Sequence, residues 1–163
     1  MNFYVLHTGD SKEHYWTDAF KEYKKRMSPQ ILEDICLKPQ KLPIDPNPMQ
    51  IEQALEKEAD AIFAALKKHS LDSAQTLKIA LCIEGKMLSS EKLAELIEQS
   101  RIDGRSRAVF ILGSSHGLSP RVKDRCFKLS FSPMTFPHQL AKVMLAEQIY
   151  RATSIIKGTK YHK

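Results

Sequence analysis

The run Val109-Phe110-Ile111-Leu112, closed by Gly113, most narrows what this chain can become. Four consecutive apolar residues, half of them β-branched, leave no polar side to face water, so the run predicts a strand covered on both faces. Strands of that kind belong to parallel sheets, and parallel neighbours need crossovers of about a dozen residues or more, usually helices. Short apolar runs at Asn2–Thr8, Ile31–Leu37, Leu77–Ile83 and Phe127–Phe131 read as the other strands. Helical periodicity covers residues 11–27, 49–68 and 89–101, a short segment at 120–125, and a final helix from His138 to Lys157 that Gly158 stops. This alternation predicts an α/β fold: a mainly parallel sheet with helices on both faces. Open sheets of this type bind ligands beyond the carboxyl ends of their strands, which draws attention to the turn that begins at Gly113.

Local signals sharpen the outline. Tyr15, Trp16, Ala19, Phe20 and Tyr23 share one face of the first helix and are expected in the core. Pro39, Pro43, Pro46 and Pro48 exclude both a helix and a central strand, so a loop follows the second strand. The next helix buries a stripe of Ile51, Leu55, Ala59, Ile62, Phe63 and Leu66, and carries Lys67 and Lys68 in its last turn, where the helix dipole favours cations. Ser89 and Ser90 can cap one helix, and Ser119 followed by Pro120 opens another. In the final helix Leu140, Val143, Met144, Leu145, Ile149, Tyr150, Ala152, Ile155 and Ile156 exceed a single stripe. One face would cover the sheet and a second calls for a partner, so a homodimer through this helix is expected.

The length of 163 residues predicts one domain, residues 1–163. No apolar run approaches the roughly 18 residues of a membrane span, and MNFYVLHTGD lacks a basic n-region, which predicts a cytoplasmic protein without membrane contact. Cys36, Cys82 and Cys126 lie in apolar runs without a CxxC pair, so they are expected to be reduced core thiols and no metal site is expected. The net charge of +6 is unevenly spread: residues 1–100 carry 13 Lys/Arg against 16 Asp/Glu, and residues 101–163 carry 12 against 3. The asymmetry is compatible with a polyanion such as nucleic acid facing the C-terminal part, and equally with a solvated basic surface.

Gly113, Ser114, Ser115, His116, Gly117 and Leu118 form a Gly-rich turn that matches neither G-x-G-x-x-G nor a P-loop. Taken together, FILGSSHGL, the later LSFSPMTFPHQL, AEQIYRA within the long helix, GKMLSS after the third strand and the terminal Tyr161-His162-Lys163 resemble the SPOUT superfamily of S-adenosylmethionine-dependent RNA methyltransferases. Within it the chain looks like the ribosomal RNA large subunit methyltransferase H family, which methylates N3 of a pseudouridine in 23S rRNA. Ser114 departs from the second glycine that family often has.

The resemblance implies a C-terminal trefoil knot and S-adenosylmethionine held largely by the backbone of three loops. Those loops map to Leu81, to Gly113, and to Phe131, Ser132, Pro133, Met134, Thr135 and Phe136. It also implies methyl transfer from the sulfonium to N3, with ribosomal RNA or the ribosome as partner. His138 is a candidate to orient the base or a phosphate, or simply a helix-start residue bonding locally. Tyr161 and His162 would lie over the site, contributed by the other subunit, and Lys142 and Arg151 are candidate phosphate contacts or a solvated helix face. The competing reading is a basic RNA-binding or ribosome-associated protein without catalysis.

Overall fold

The computed structural model describes residues 1–9 and 13–162; the expected helix start at Ser11 and the terminal Lys163 lie outside the described residues. Five strands, β1 (Asn2–Thr8), β2 (Leu32–Leu37), β3 (Thr76–Met87), β4 (Arg107–Leu112) and β5 (Phe127–Ser130), form one sheet in the order β2-β1-β4-β3-β5, and every pairing is parallel. The crossovers carry α1 (His14–Arg26), α2 (Pro48–Lys68), α3 (Ser90–Ile102) and α4 (Pro120–Lys123), and α5 (His138–Ile156) follows the last strand.

The run that anchored the sequence reading is buried on both sides. Ala108, Phe110 and Leu112 enter the core beneath α1, α3 and α5, and Val109 and Ile111 enter the core beneath α2 and α4. None of the five is more than 3% exposed. Burial of each larger member stabilises the fold by about 1.5–3 kcal/mol, so the centre of the sheet is its most strongly held part. Upstream, the proline-rich loop ends in a capping box that periodicity alone does not reveal. The Asn47 side chain accepts from the Gln50 N–H at 2.9 Å, the Gln50 side chain accepts from the Asn47 N–H at 2.9 Å, and Pro48 is the first helical residue.

β3 runs past its expected end at Ile83 to Met87. Its register slips between Leu81 and Lys86, so both residues pair with Leu129 of β5. Gly85 makes this possible: a β-carbon there would stand 2.5 Å from the Leu129 carbonyl carbon, inside any normal contact.

Three packing expectations change. Of the α1 aromatic stripe, Phe20 enters the core and half-buried Tyr23 packs against it; Tyr15 is 62% exposed and lies tilted against Trp16 at 4.9 Å between centroids. Periodicity places residues on one face, but where the helix is set down decides which turns of that face meet another element. Cys36 is exposed because β2 is an edge strand with one neighbour, and Cys82 and Cys126 are half-buried, so none of the three is a fully buried core thiol. Finally, none of the 19 residues of α5 is exposed, because the helix lies between α1 and α3. Val143, Tyr150, Ile155 and Ile156 pack against that core and Met144 lines a groove beside it, so part of the apolar surface is accounted for within one chain. No described helix is long and apolar enough to cross a membrane.

Candidate active site

Sheet order brings together the three segments expected to hold a cofactor. Leu81 pairs with Leu112 on one side and Leu129 on the other, so the turn at Gly113 and the loop from Phe131 leave the sheet beside the same point. Beyond Gly113 the chain turns sharply: the Gly117 N–H donates to the Ser114 carbonyl at 2.9 Å, and Gly117 has φ +85°. A β-carbon on Gly113 would overlap the Gly117 carbonyl and crowd the Leu118 side chain. The glycine is therefore required by the turn that folds over it, a reason independent of any ligand.

In the loop, the Ser130 hydroxyl donates to the Ser132 carbonyl at 3.1 Å, and the Ser132 hydroxyl accepts from the Met134 N–H at 3.0 Å. Phe131, Ser132 and Phe136 are half-buried, and Pro133, Met134 and Thr135 are exposed. Around these segments Ile83, Met87 and Met134 are 57%, 61% and 68% exposed, an apolar surface available to a ligand. Thr8, one residue beyond the His7–Leu112 pairing, keeps a buried hydroxyl with no hydrogen-bond partner among the described residues. Apolar surface, main-chain groups at strand ends and a spare hydroxyl suit a neutral heteroaromatic ring on a polar tail. A groove of about 570 Å3 adjoins this place, lined by Leu88, Ser90, Leu129, Phe131, Val143 and Glu147 among others. It shares the end of β5 with the expected cofactor loop and does not reach Gly113.

The helices that follow β1 and β4 lie on opposite faces of the sheet, so the gap between these adjacent strands is the topological switch point where ligands of such sheets bind. A charged cluster that sequence reasoning missed stands there. His7 of β1 is 1% exposed and its Nε2 lies 2.9 Å from Asp34 Oδ1 of β2. Lys142 of α5 is 4% exposed, donates to Asp34 Oδ2 at 2.9 Å, and stands 3.3 Å from His7 Nε2 and 4.9 Å over the Phe20 ring. His138, the first residue of α5, places Nε2 3.4 Å from His7 Nδ1. Burial works against the Asp34 carboxylate, but hydrogen bonds from His7 and Lys142 outweigh it and hold its pKa below the usual value. Burial, then the neighbouring charges of His7 and Lys142, pulls His138 down to about 4, while a hydrogen bond to the Gly113 backbone and the charge of Asp34 act the other way. The available signal was a histidine inside an apolar strand at the carboxyl end of the sheet.

Lys142 therefore does not sit on a solvated helix face, as the sequence reading allowed. Its ammonium is enclosed and committed to Asp34, which removes the geometry of a phosphate contact.

Arg151 lies 13 residues beyond His138 along α5 and binds Glu147 Oε1 through Nε at 2.9 Å and through NH2 at 2.6 Å. Tyr161 donates to Glu147 Oε1 at 3.1 Å beneath the Arg151 guanidinium, and His162 Nε2 lies 2.9 Å from Glu91 Oε1. Burial and the Glu147 carboxylate push the Tyr161 phenol up to about 12. At a rise of about 1.5 Å per residue, Arg151 and His138 are roughly 20 Å apart along the helix. The fold thus joins His138 to Gly113 and keeps Tyr161 and His162 of the same chain away from them.

The charge asymmetry also changes meaning. Arg121 pairs with Glu56 and Asp60, Lys123 with Glu84 and Lys142 with Asp34. Folding pairs part of the C-terminal excess with acidic residues of the first hundred, and charge counted along a chain carries no information about such pairing. Among the described residues no group of three or more His, Cys, Asp or Glu side chains is arranged to hold a metal.

A family model described as "Predicted SPOUT methyltransferase" matches residues 1–162. The fold is similar to that of a probable methylase family protein from Haemophilus influenzae Rd KW20, at TM-score 0.54 and 13% identity over 99% of this chain and 70% of that one. It is also similar to TrmJ from Z. mobilis ZM4, at TM-score 0.50 and 12% identity over 94% of this chain and 70% of that one. The chain belongs to the SPOUT methyltransferase family, and SPOUT methyltransferases use S-adenosylmethionine.

Proposed function

We propose that this protein is a cytoplasmic RNA methyltransferase that acts on N3 of a pseudouridine in 23S rRNA, as a single-domain protein working as a homodimer. The observation that carries the reading is the convergence of Leu81, the Gly113 turn and the Phe131–Phe136 loop at the ends of three adjacent strands. The family match supports a methyl-transfer role for that place. The C-terminal trefoil knot belongs to this reading because the chain belongs to the SPOUT family.

S-adenosylmethionine supplies a methyl group already activated by a sulfonium. The protein's own share is placement and the handling of one proton. Main-chain groups at Leu81, Gly113 and along 131–136 would fix the cofactor, and Ile83, Met87 and Met134 would exclude water from it. His138, at the head of α5 with a hydrogen bond to the Gly113 backbone, is a titratable group beside the turn and is neutral at physiological pH. Tyr161 and His162 rest on their own α5 and α3, at the margin of the 570 Å3 groove that also contains Glu147. A second subunit docked across that groove would receive them. Arg151, held by Glu147, would contact phosphate from the same side.

Isothermal titration with S-adenosylhomocysteine tests the cofactor site: binding is expected, and its absence would leave a non-catalytic basic protein as the better reading. Primer extension over 23S rRNA from cells with and without the gene tests the substrate, and an unchanged stop pattern would sink it. Gly113→Arg should abolish S-adenosylhomocysteine binding. Because the substitution forces the 113–117 turn open, some loss of stability should accompany it.

A further inference from the structure

The polar groups at the head of α5 form a chain with a direction. Asp34, on edge strand β2, is a third exposed and opens to solvent. His7 and Lys142 behind it are enclosed, and half-buried His138 ends the chain beside Gly113. Among the described residues, the charged groups that act on His138 are His7 from β1, Asp34 from β2 and Lys142 from α5 itself. Resting on the methyltransferase reading, we propose that Asp34 and His7 are positioning residues that orient His138 as the acceptor of the proton leaving the pyrimidine N3.

The hydrogen count gives the mechanism. A carboxylate oxygen 2.9 Å from His7 Nε2 requires the hydrogen to be on that nitrogen, so a neutral His7 presents Nδ1 as an acceptor. His138 Nε2, at 3.4 Å, supplies the matching donor. With Nε2 turned to His7, the remaining nitrogen of the pair is His138 Nδ1, on the side of the Gly113 backbone. When N3 forms its bond to the methyl carbon, the methyl–sulfur bond breaks and the sulfur keeps the electron pair. The N3 hydrogen passes as a proton to His138 Nδ1. The resulting imidazolium is bonded through Nε2–H to His7, which is itself anchored on the Asp34 carboxylate. Burial, His7 and Lys142 oppose this charged form, and the Gly113 backbone and Asp34 favour it, with Lys142 bound to the other oxygen of Asp34. Among the described residues, Asp34 is the acceptor that holds His7 in the tautomer that fixes His138.

Asp34→Asn in the full-length protein tests this, because it keeps size but removes the charge and leaves one acceptor oxygen for the two donors His7 and Lys142. At neutral pH kcat should fall about tenfold or more, as for loss of an aligned general base. KM for RNA and the affinity for S-adenosylhomocysteine should stay within about twofold, as expected when only a transition-state interaction is removed. The deficit should shrink as pH rises, because hydroxide then removes the N3 proton. An active wild type together with an Asp34→Asn protein of unchanged kcat and pH profile would overturn the relay; an inactive wild type that binds no S-adenosylhomocysteine would overturn the methyltransferase reading instead. Long-range 1H–15N spectra of histidine-labelled wild-type protein need neither variant nor activity. They should show hydrogen on Nε2 of both His7 and His138, and a His138 carrying its hydrogen on Nδ1 alone would refute the proposal even if Asp34→Asn does not fold.

Discussion

The two ends of α5 carry the same ingredients in different settings. Near its start a lysine, a carboxylate, a phenylalanine ring and two histidines meet; further along, an arginine, a carboxylate, a tyrosine ring and one histidine meet. The first cluster draws its members from β1, β2 and α1 as well as α5, and its lysine side chain is 5% exposed. The second is built largely within α5 and the tail, with the Arg151 and Glu147 side chains 28% and 18% exposed. Burial makes a charge depend on its partner, whereas water can replace a partner at the surface. The first cluster is therefore a fixed part of the fold, and the second can let go of its members at little cost. That contrast suits a rigid group beside Gly113 and a tail that exchanges contacts with a partner.

Removing the cation at each end tests the contrast most directly. Lys142→Ala should cost about 2–4 kcal/mol in urea unfolding, the range for a broken buried pair discounted for the partial exposure of Asp34. Lys142→Met, which keeps the volume but still strands Asp34, should recover only part of that loss. A value below about 1 kcal/mol for Lys142→Ala would mean that the first cluster is as replaceable as the second.

Acid should act through the first cluster next. His138 has a pKa of about 4 in the folded protein and 6.5 as its ordinary value, so the unfolded chain takes up a proton first as pH falls. Stability is full above about pH 6.5 and should decline by about 1–2 kcal/mol on the way to pH 4, a figure reduced for partial solvent access. Thermal unfolding of wild type and His138→Gln across this window checks the sign: the decline should flatten in the variant.

Arg151→Ala comes last, with a stability cost of about 1 kcal/mol for a partly exposed pair. If Arg151 contacts phosphate, the slope of log affinity for RNA against log salt should drop by about one unit. An unaltered slope would assign Arg151 to holding Tyr161 and nothing more.

What the residues announced and what they concealed divides along a physical line. Strand and helix order, the buried centre at Val109–Leu112 and the Gly113 turn were legible, because hydrophobic period and glycine placement act over a few residues. The resemblance likewise pointed to segments whose meeting the strand order then accounts for. The sequence could not show that Gly113 makes room for Gly117, that Gly85 must clear the backbone of Leu129, or that Lys142 is enclosed, since each depends on a neighbour distant along the chain or on a turn's closure. His7 and Asp34 are 27 positions apart and His138 lies beyond another hundred, so no spacing rule links them. They meet because β1 pairs with both β2 and β4, and because α5 begins beside the turn that β4 ends in. By itself the sequence determined which segments are strands and helices and which faces are apolar. Only the tertiary structure decided which charges face one another, because an ion pair is set by distance in space and the order of strands in a sheet is not their order in the chain.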